Sequence, residues 1–251
     1  MKKIICLASL LCFALCSVAQ AETGDLKVKF VYGGAVPTPT PIKADKDAEF
    51  CGKHKLKDES LIVNPSNKGI QNVILYVYTG RGGTKLDKMD LTNKTHVLAN
   101  ENCRFEPHII IAQAGDTIKV TNPDSVGHNA NFSFFNNPPQ NFTVPAGGEK
   151  SIVVKEDEPA PIDVACNIHP WMKARVAVFE HPFAAKSDEN GDLLIKGLPT
   201  GDVVFRVFFE PGSVKKVKVN GKEEEWTRSR VEIDIKPGMN DLGTVTIPPV
   251  E

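Results

Sequence analysis

Residues 162–179 read Ile162-Asp-Val-Ala-Cys166-Asn-Ile-His169-Pro-Trp-Met172-Lys-Ala-Arg-Val-Ala-Val-Phe179. Ile162–Ala165 and Lys173–Phe179 have the composition and alternation of β-strands. Between them a short loop carries a thiol, an imidazole and a thioether. A loop braced by two strands can present side chains with small positional error. About forty residues upstream, Val120-Thr-Asn-Pro-Asp-Ser-Val-Gly-His128-Asn129 places a second imidazole beside another strand, after a turn rich in Asn, Pro, Asp and Gly.

The same β reading extends along the chain. Short alternating apolar runs are bounded by Gly, Pro, Asn and Asp at Leu26–Tyr32, Gln71–Tyr78, His108–Ile111, Thr117–Thr121, Lys150–Val154, Leu193–Ile195, Val203–Phe209, Lys215–Val219 and Val231–Ile235. No stretch sustains a long helical period, although residues 45–60 and 84–95 each have room for a short helix. An all-β chain of sandwich or barrel type follows. A boundary is expected near residue 181, with residues 22–180 forming one β domain and 181–251 a second, small sandwich. Residues 33–70, rich in Pro, Lys and Asp, read as a long decorated loop.

The chemistry of the donors narrows what they hold. His128, Cys166, His169 and Met172 offer two imidazoles, one thiolate and one thioether. Two His and one Cys with a weak axial Met form a blue-copper set, because soft sulfur suits copper in both oxidation states. Zinc prefers four strong donors in a tetrahedron, and calcium or magnesium wants oxygen. The set leaves no evident open coordination position. No acid/base pair stands beside a second metal cluster, so the reading is a one-electron carrier and not an enzyme. Cys166 alone reads equally well as a buried thiol, Met172 as core packing, and His128 as a loop histidine; the spacing of all four together carries the metal assignment.

These two stretches resemble the cupredoxin (blue copper protein) family. The tight Cys-x-x-His-x-x-Met spacing, with Pro after the second His, is most similar to its amicyanin members and to plastocyanin-like proteins of methylamine utilisation. The resemblance implies a Greek-key β-sandwich binding one type 1 copper ion through His128, Cys166, His169 and Met172. It implies that Asn129 bridges the two ligand loops and helps a backbone N–H reach the Cys sulfur. It implies further that the edge of His169, with Pro170 and Trp171 around it, forms an apolar electron port for protein redox donors and acceptors. The match covers residues 105–180. Residues 181–201, with the turns Ser187-Asp-Glu-Asn-Gly191 and Gly197-Leu-Pro-Thr-Gly201, resemble the carboxypeptidase-regulatory-like (transthyretin-like) sandwich, a surface for protein or carbohydrate contact.

Residues 1–21 read as an export signal: Lys2 and Lys3, then the apolar run Ile4–Val18, then Ala19-Gln20-Ala21. The run is shorter than the roughly 20 residues a bilayer span needs, and no later segment is apolar enough to cross, so a periplasmic or secreted product is expected. The chain holds 30 basic and 31 acidic residues; without Lys2 and Lys3 the balance is 28 to 31, or −3. No concentrated basic face suggests nucleic acid. Cys6, Cys12 and Cys16 leave with the signal, so Cys51, Cys103 and Cys166 remain. With Cys166 in the ligand pattern, Cys51 and Cys103 are expected as a disulfide, two free thiols being the alternative. His54 and His96 read as surface residues, and His108 and His181 as structural. Two other functions compete with electron transfer: copper storage or delivery, which lacks the Met-rich or His-rich tracts it would favour, and an extracellular binding module with a structural copper.

Overall fold

The computed structural model describes residues 22–90 and 92–249; the export segment expected at residues 1–21 lies outside them. The fold is all-β: strands dominate, and among the described residues the helical pieces are a single turn at Ala48–Cys51 and a 3-10 turn at Thr227–Ser229. The helix expected in residues 45–60 is therefore one turn long, and none forms among the described residues of 84–95. Strands open within a few residues of the expected positions, for example at Thr117–Thr121, Lys173–Phe179 and Arg230–Ile235.

Two sandwiches make up the fold. In one, the sheet Gln140–Val144, His128–Phe132, Ile162–Ala165, Lys173–Phe179, Ile109–Gln113 faces the sheet Glu149–Val153, Thr117–Thr121, Thr95–Glu101, Arg104–Glu106. Phe105, Leu98, Ile118 and Val120 from the second sheet meet Phe132, Val164, Val176 and Ile110 from the first in one buried cluster. Alternate residues of each strand supply this core, as the two-residue period of a strand dictates.

The other sandwich corrects the division near residue 181. Its first sheet runs Asp192–Pro199, Thr23–Tyr32, Gly238–Ile247, Lys216–Val219, Lys222–Glu225, and its second Ala184–Lys186, Ile74–Val77, Gly201–Phe208, Arg230–Ile235. The strand Thr23–Tyr32 lies inside the carboxy-terminal sheet, second in its order, antiparallel to Asp192–Pro199 and parallel to Gly238–Ile247. Leu26, Val28 and Phe30 share a core with Phe205, Trp226 and Val245. The sandwich thus takes strands from both ends of the described chain, and the sandwich that carries Cys166 sits between them in sequence. The physical reason is burial: Leu26, Val28 and Phe30 on one face of the strand find a complementary apolar sheet only there, and backbone pairing over ten residues is indifferent to sequence distance.

Strand Ile74–Val77 shows how the two halves meet. It is buried on both faces. Leu75 and Val77 point into the carboxy-terminal core. Ile74 and Tyr76 point the other way, against Ile109, Ala177 and Phe179 of the neighbouring sandwich. A continuous apolar run is what a strand needs when it is covered on both sides.

Candidate metal centre

The loop Cys166–Met172 is held at its base by the strands it joins. Ala165 pairs with Lys173 in the antiparallel ladder. One step further, the Cys166 N–H donates to the Met172 carbonyl at 3.1 Å, and the Met172 N–H donates to the His169 carbonyl at 2.9 Å. This turns Cys166, His169 and Met172 inward; all three are essentially inaccessible to solvent. His128 opens the adjacent strand His128–Phe132, with Val144 as its ladder partner. The turn before it is pinned by Asn122, whose side-chain N–H groups donate to the carbonyls of Val126 and Val144, both at 2.9 Å.

The structure brings His128, Cys166 and His169 together. Their donor atoms all lie within 4.8 Å of one another. The His128 and His169 Nδ1 atoms are 3.0 Å apart, and the Cys166 sulfur is 3.8 Å from the His169 Nδ1. Two backbone N–H groups, of Asn129 at 3.3 Å and His169 at 3.4 Å, donate to that sulfur. The Asn129 side-chain oxygen accepts the Asn167 N–H at 2.7 Å and so spans the two loops.

Two carboxylates absent from the sequence reading complete the site. Asp124 accepts from His128 Nε2 at 2.8 Å, and Asp47 accepts from His169 Nε2 at 2.7 Å. Each outer nitrogen is thus spent on a carboxylate, and both Nδ1 atoms face inward. Burial pushes the His128 pKa down, against the pull of Asp124. Asp124 sits in the quoted stretch four residues before His128, a spacing that offered a signal. Asp47 lies 122 residues from His169, and nothing local marks it.

The expected electron port is corrected. His169 is 0% exposed. Its edge is covered by Asp47, on the segment that leads to Ala48–Cys51. That segment is tied down by the Cys51–Cys103 disulfide, with Cα atoms 5.5 Å apart. Pro170 stays exposed, while Trp171 is half-buried and donates its indole N–H to the Cys103 carbonyl at 3.0 Å. Cys103, Asp124 and His128 form a second close cluster, but a cysteine in a disulfide has no thiolate to offer.

A cavity of about 830 Å³ opens on the far side of the loop, lined among others by Trp171, Met172, His108, Arg104 and Glu210; His128, Cys166 and His169 do not line it. His108 is structural there, its Nε2 lying 2.7 Å from Glu210 of the carboxy-terminal sandwich. His181 lies buried between the halves: it accepts the Phe183 N–H and donates to the Val77 carbonyl. His96 is less exposed than a surface residue, with its ring 2.8 Å from Asp116.

The donor set can be tested against one ion. Nitrogen and sulfur bound at roughly 2.0 and 2.3 Å from a common centre can be no more than about 4.3 Å apart, and separations of 3.0 and 3.8 Å satisfy this. Two imidazoles and a cysteine sulfur, with Met172 buried in the same core, fit copper better than zinc.

No protein-family model matches the chain, and no curated protein sequence does. By structure it is similar to amicyanin. One Cu(I) amicyanin variant is 20% identical with a TM-score of 0.29, over 33% of this chain and 79% of that one. A reduced Cu(I) form of another variant at pH 4 is 21% identical with a TM-score of 0.30, over 36% and 86%. The Cu-containing nitrite reductase of Thermus scotoductus SA-01 is 18% identical with a TM-score of 0.33, over 40% of this chain and 26% of that one.

Proposed function

We propose that His128, Cys166, His169 and Met172 hold one type 1 copper ion, and that the protein is an exported, periplasmic or secreted one-electron carrier between protein partners. The observation that carries this reading is the pair of Nδ1 atoms 3.0 Å apart. Both outer nitrogens are spent on carboxylates. Two inward lone pairs at that distance repel unless a cation lies between them, and a buried thiolate beside them adds negative charge to the same point.

Copper bound there would supply a one-electron Cu(II)/Cu(I) couple. The chain's part is to keep the donors still. The strand ladder fixes the loop that bears Cys166, His169 and Met172. Asp124 and Asp47 fix the ring orientations, an arrangement that makes an imidazole a stronger ligand. The N–H groups of Asn129 and His169 withdraw charge from the sulfur and so favour the reduced ion. Met172 would be the fourth, weak donor to the ion.

A carrier suits this geometry better than an enzyme. The three close donors are at most 1% exposed, so a substrate has no route to the ion. Among the described residues no helix is long and apolar enough to cross a membrane, which accords with an exported protein free of a helical span. Both close His/Cys/acid clusters among the described residues lie in the copper-motif sandwich; the other sandwich is read as a support, open to protein or carbohydrate contact.

The test is titration of the purified protein with Cu(II), alongside Cys166→Ser. One equivalent should bind and give an intense visible band in the native chain and none in the variant. A native protein that binds no copper, or a variant that stays blue, would reject the ligand assignment.

A further inference from the structure

Residues 40–58 fold back on themselves over the His169 side of the centre. The Asp58 N–H donates to the Thr40 carbonyl and the Ile42 N–H to the Leu56 carbonyl, each at 2.9 Å. Ile42, Phe50 and Leu56 pack on the core of the copper-motif sandwich. At the tip, Asp47 takes a left-handed conformation with φ 45° and ψ 41°. A non-glycine residue held there marks a position that its surroundings over-determine. The carbonyl of Asp47 accepts the Cys51 N–H at 2.8 Å, so its carboxylate and the disulfide belong to one turn.

The disulfide reaches the other histidine as well. Asp124 accepts the N–H groups of Asn102 at 2.7 Å and Cys103 at 2.8 Å on the same carboxylate that holds His128. Cys51 thus anchors the Asp47 turn, Cys103 anchors Asp124, and one covalent bond sets the distance between the two acids that orient the two imidazoles.

We propose that Asp47 is a positioning residue of the metal centre and that residues 40–58 are its disulfide-pinned lid. The carboxylate holds the His169 Nε2, which leaves its Nδ1 facing the Nδ1 of His128 and the Cys166 sulfur. The lid takes the place of the bare imidazole edge at the surface, so His169 cannot rotate outward or meet solvent while the lid is closed. The orienting role rests on the copper reading; the occlusion of His169 does not.

Metal-free protein treated with diethyl pyrocarbonate, with the modified histidines read by peptide mass spectrometry, tests the occlusion. Asp47→Gly removes the carboxylate and suits the positive φ. Asp47→Asn keeps an acceptor oxygen and tolerates the same backbone. His169 should be protected in the native chain and in Asp47→Asn, and should react at the pace of an exposed histidine in Asp47→Gly. His128, held by Asp124, should stay protected in all three. His169 equally unreactive in Asp47→Gly and in the native chain would overturn the proposal.

Copper retention tests the orienting role. Loaded Asp47→Gly should show about a 10- to 100-fold weaker hold on the ion against a competing chelator, the usual effect of removing a carboxylate behind a ligand histidine. Reduction of Cys51–Cys103 in the native chain should have the same two effects. A native protein that never turns blue, yet shows Asp47-dependent protection of His169, would reject the copper reading and uphold the lid. A blue native protein in which neither protection nor copper retention responds to Asp47→Gly would reject the lid and uphold the copper.

Discussion

His128 and His169 point their Nδ1 atoms at one another across 3.0 Å, each with its outer nitrogen held by a carboxylate. One ring opens a strand and the other sits in the loop Cys166–Met172, and neither can turn away without breaking a hydrogen bond that is sheltered or buried. The pair is set for a cation before any cation arrives, and that preorganisation shapes what each substitution should do.

Replacing Met172 by Gln is expected to keep the visible band and lower the reduction potential, because the amide oxygen is a harder donor that favours Cu(II). The fold should hold, since the Met172 peptide groups, which close the loop, are unchanged. Voltammetry of the loaded variant checks the direction; a rise in potential would deny Met172 its axial role.

His181 predicts a pH dependence. Burial between the Phe179 and Phe183 rings pushes its pKa from 6.5 down to about 4. The unfolded chain takes up the proton first as pH falls. The stabilisation is therefore complete above about pH 6.5 and is lost between there and pH 4, by up to about 3 kcal/mol at about 1.4 kcal/mol per pKa unit. Urea unfolding across that range should show the loss, and His181→Gln should flatten it.

Glu210 links the sandwiches, with its carboxylate 2.7 Å from His108 Nε2 and 3.1 Å from Arg175 Nε. It is 8% exposed. Arg175 keeps its pair with Asp163, but the buried His108 loses its hydrogen-bond partner, so Glu210→Ala should cost about 2 kcal/mol. Denaturant titration of native and variant proteins measures this; a cost below about 1 kcal/mol would mean that water already screens the pair.

Loss of the disulfide should also be felt globally. Cys51 and Cys103 are 52 residues apart, and closing a loop of that length restrains the unfolded chain by about 4 kcal/mol. The Cys51→Ala/Cys103→Ala double variant should be destabilised by about that amount in calorimetry of the metal-free proteins.

Much of this architecture is legible from local sequence. The strands at Thr117–Thr121 and Lys173–Phe179 carry clean alternation, and Cys166, His169 and Met172 lie within one loop, so their convergence needs only a strand on either side. Pairings between distant segments are a different matter. Thr23–Tyr32 alternates as clearly as any strand, yet nothing in it says that its neighbours are Asp192–Pro199 and Gly238–Ile247. Gly238–Ile247 itself, with Asn240, Asp241 and Gly243 in its middle, lacks the apolar period that marks a strand. Asp47 was invisible for the same reason: it owes its place over His169 to a cysteine four residues on that meets another 52 residues away. The cover it provides is why an expected exposed imidazole is buried.

The central claim meets its most direct measurement in the electron-spin resonance spectrum of the purified, Cu(II)-loaded protein. The account predicts one equivalent of copper with the small parallel hyperfine splitting of a thiolate-bound type 1 site, alongside an intense visible band. A spectrum with the wide splitting of tetragonal copper, or copper bound with Cys166 still free to react with a thiol reagent, would contradict it.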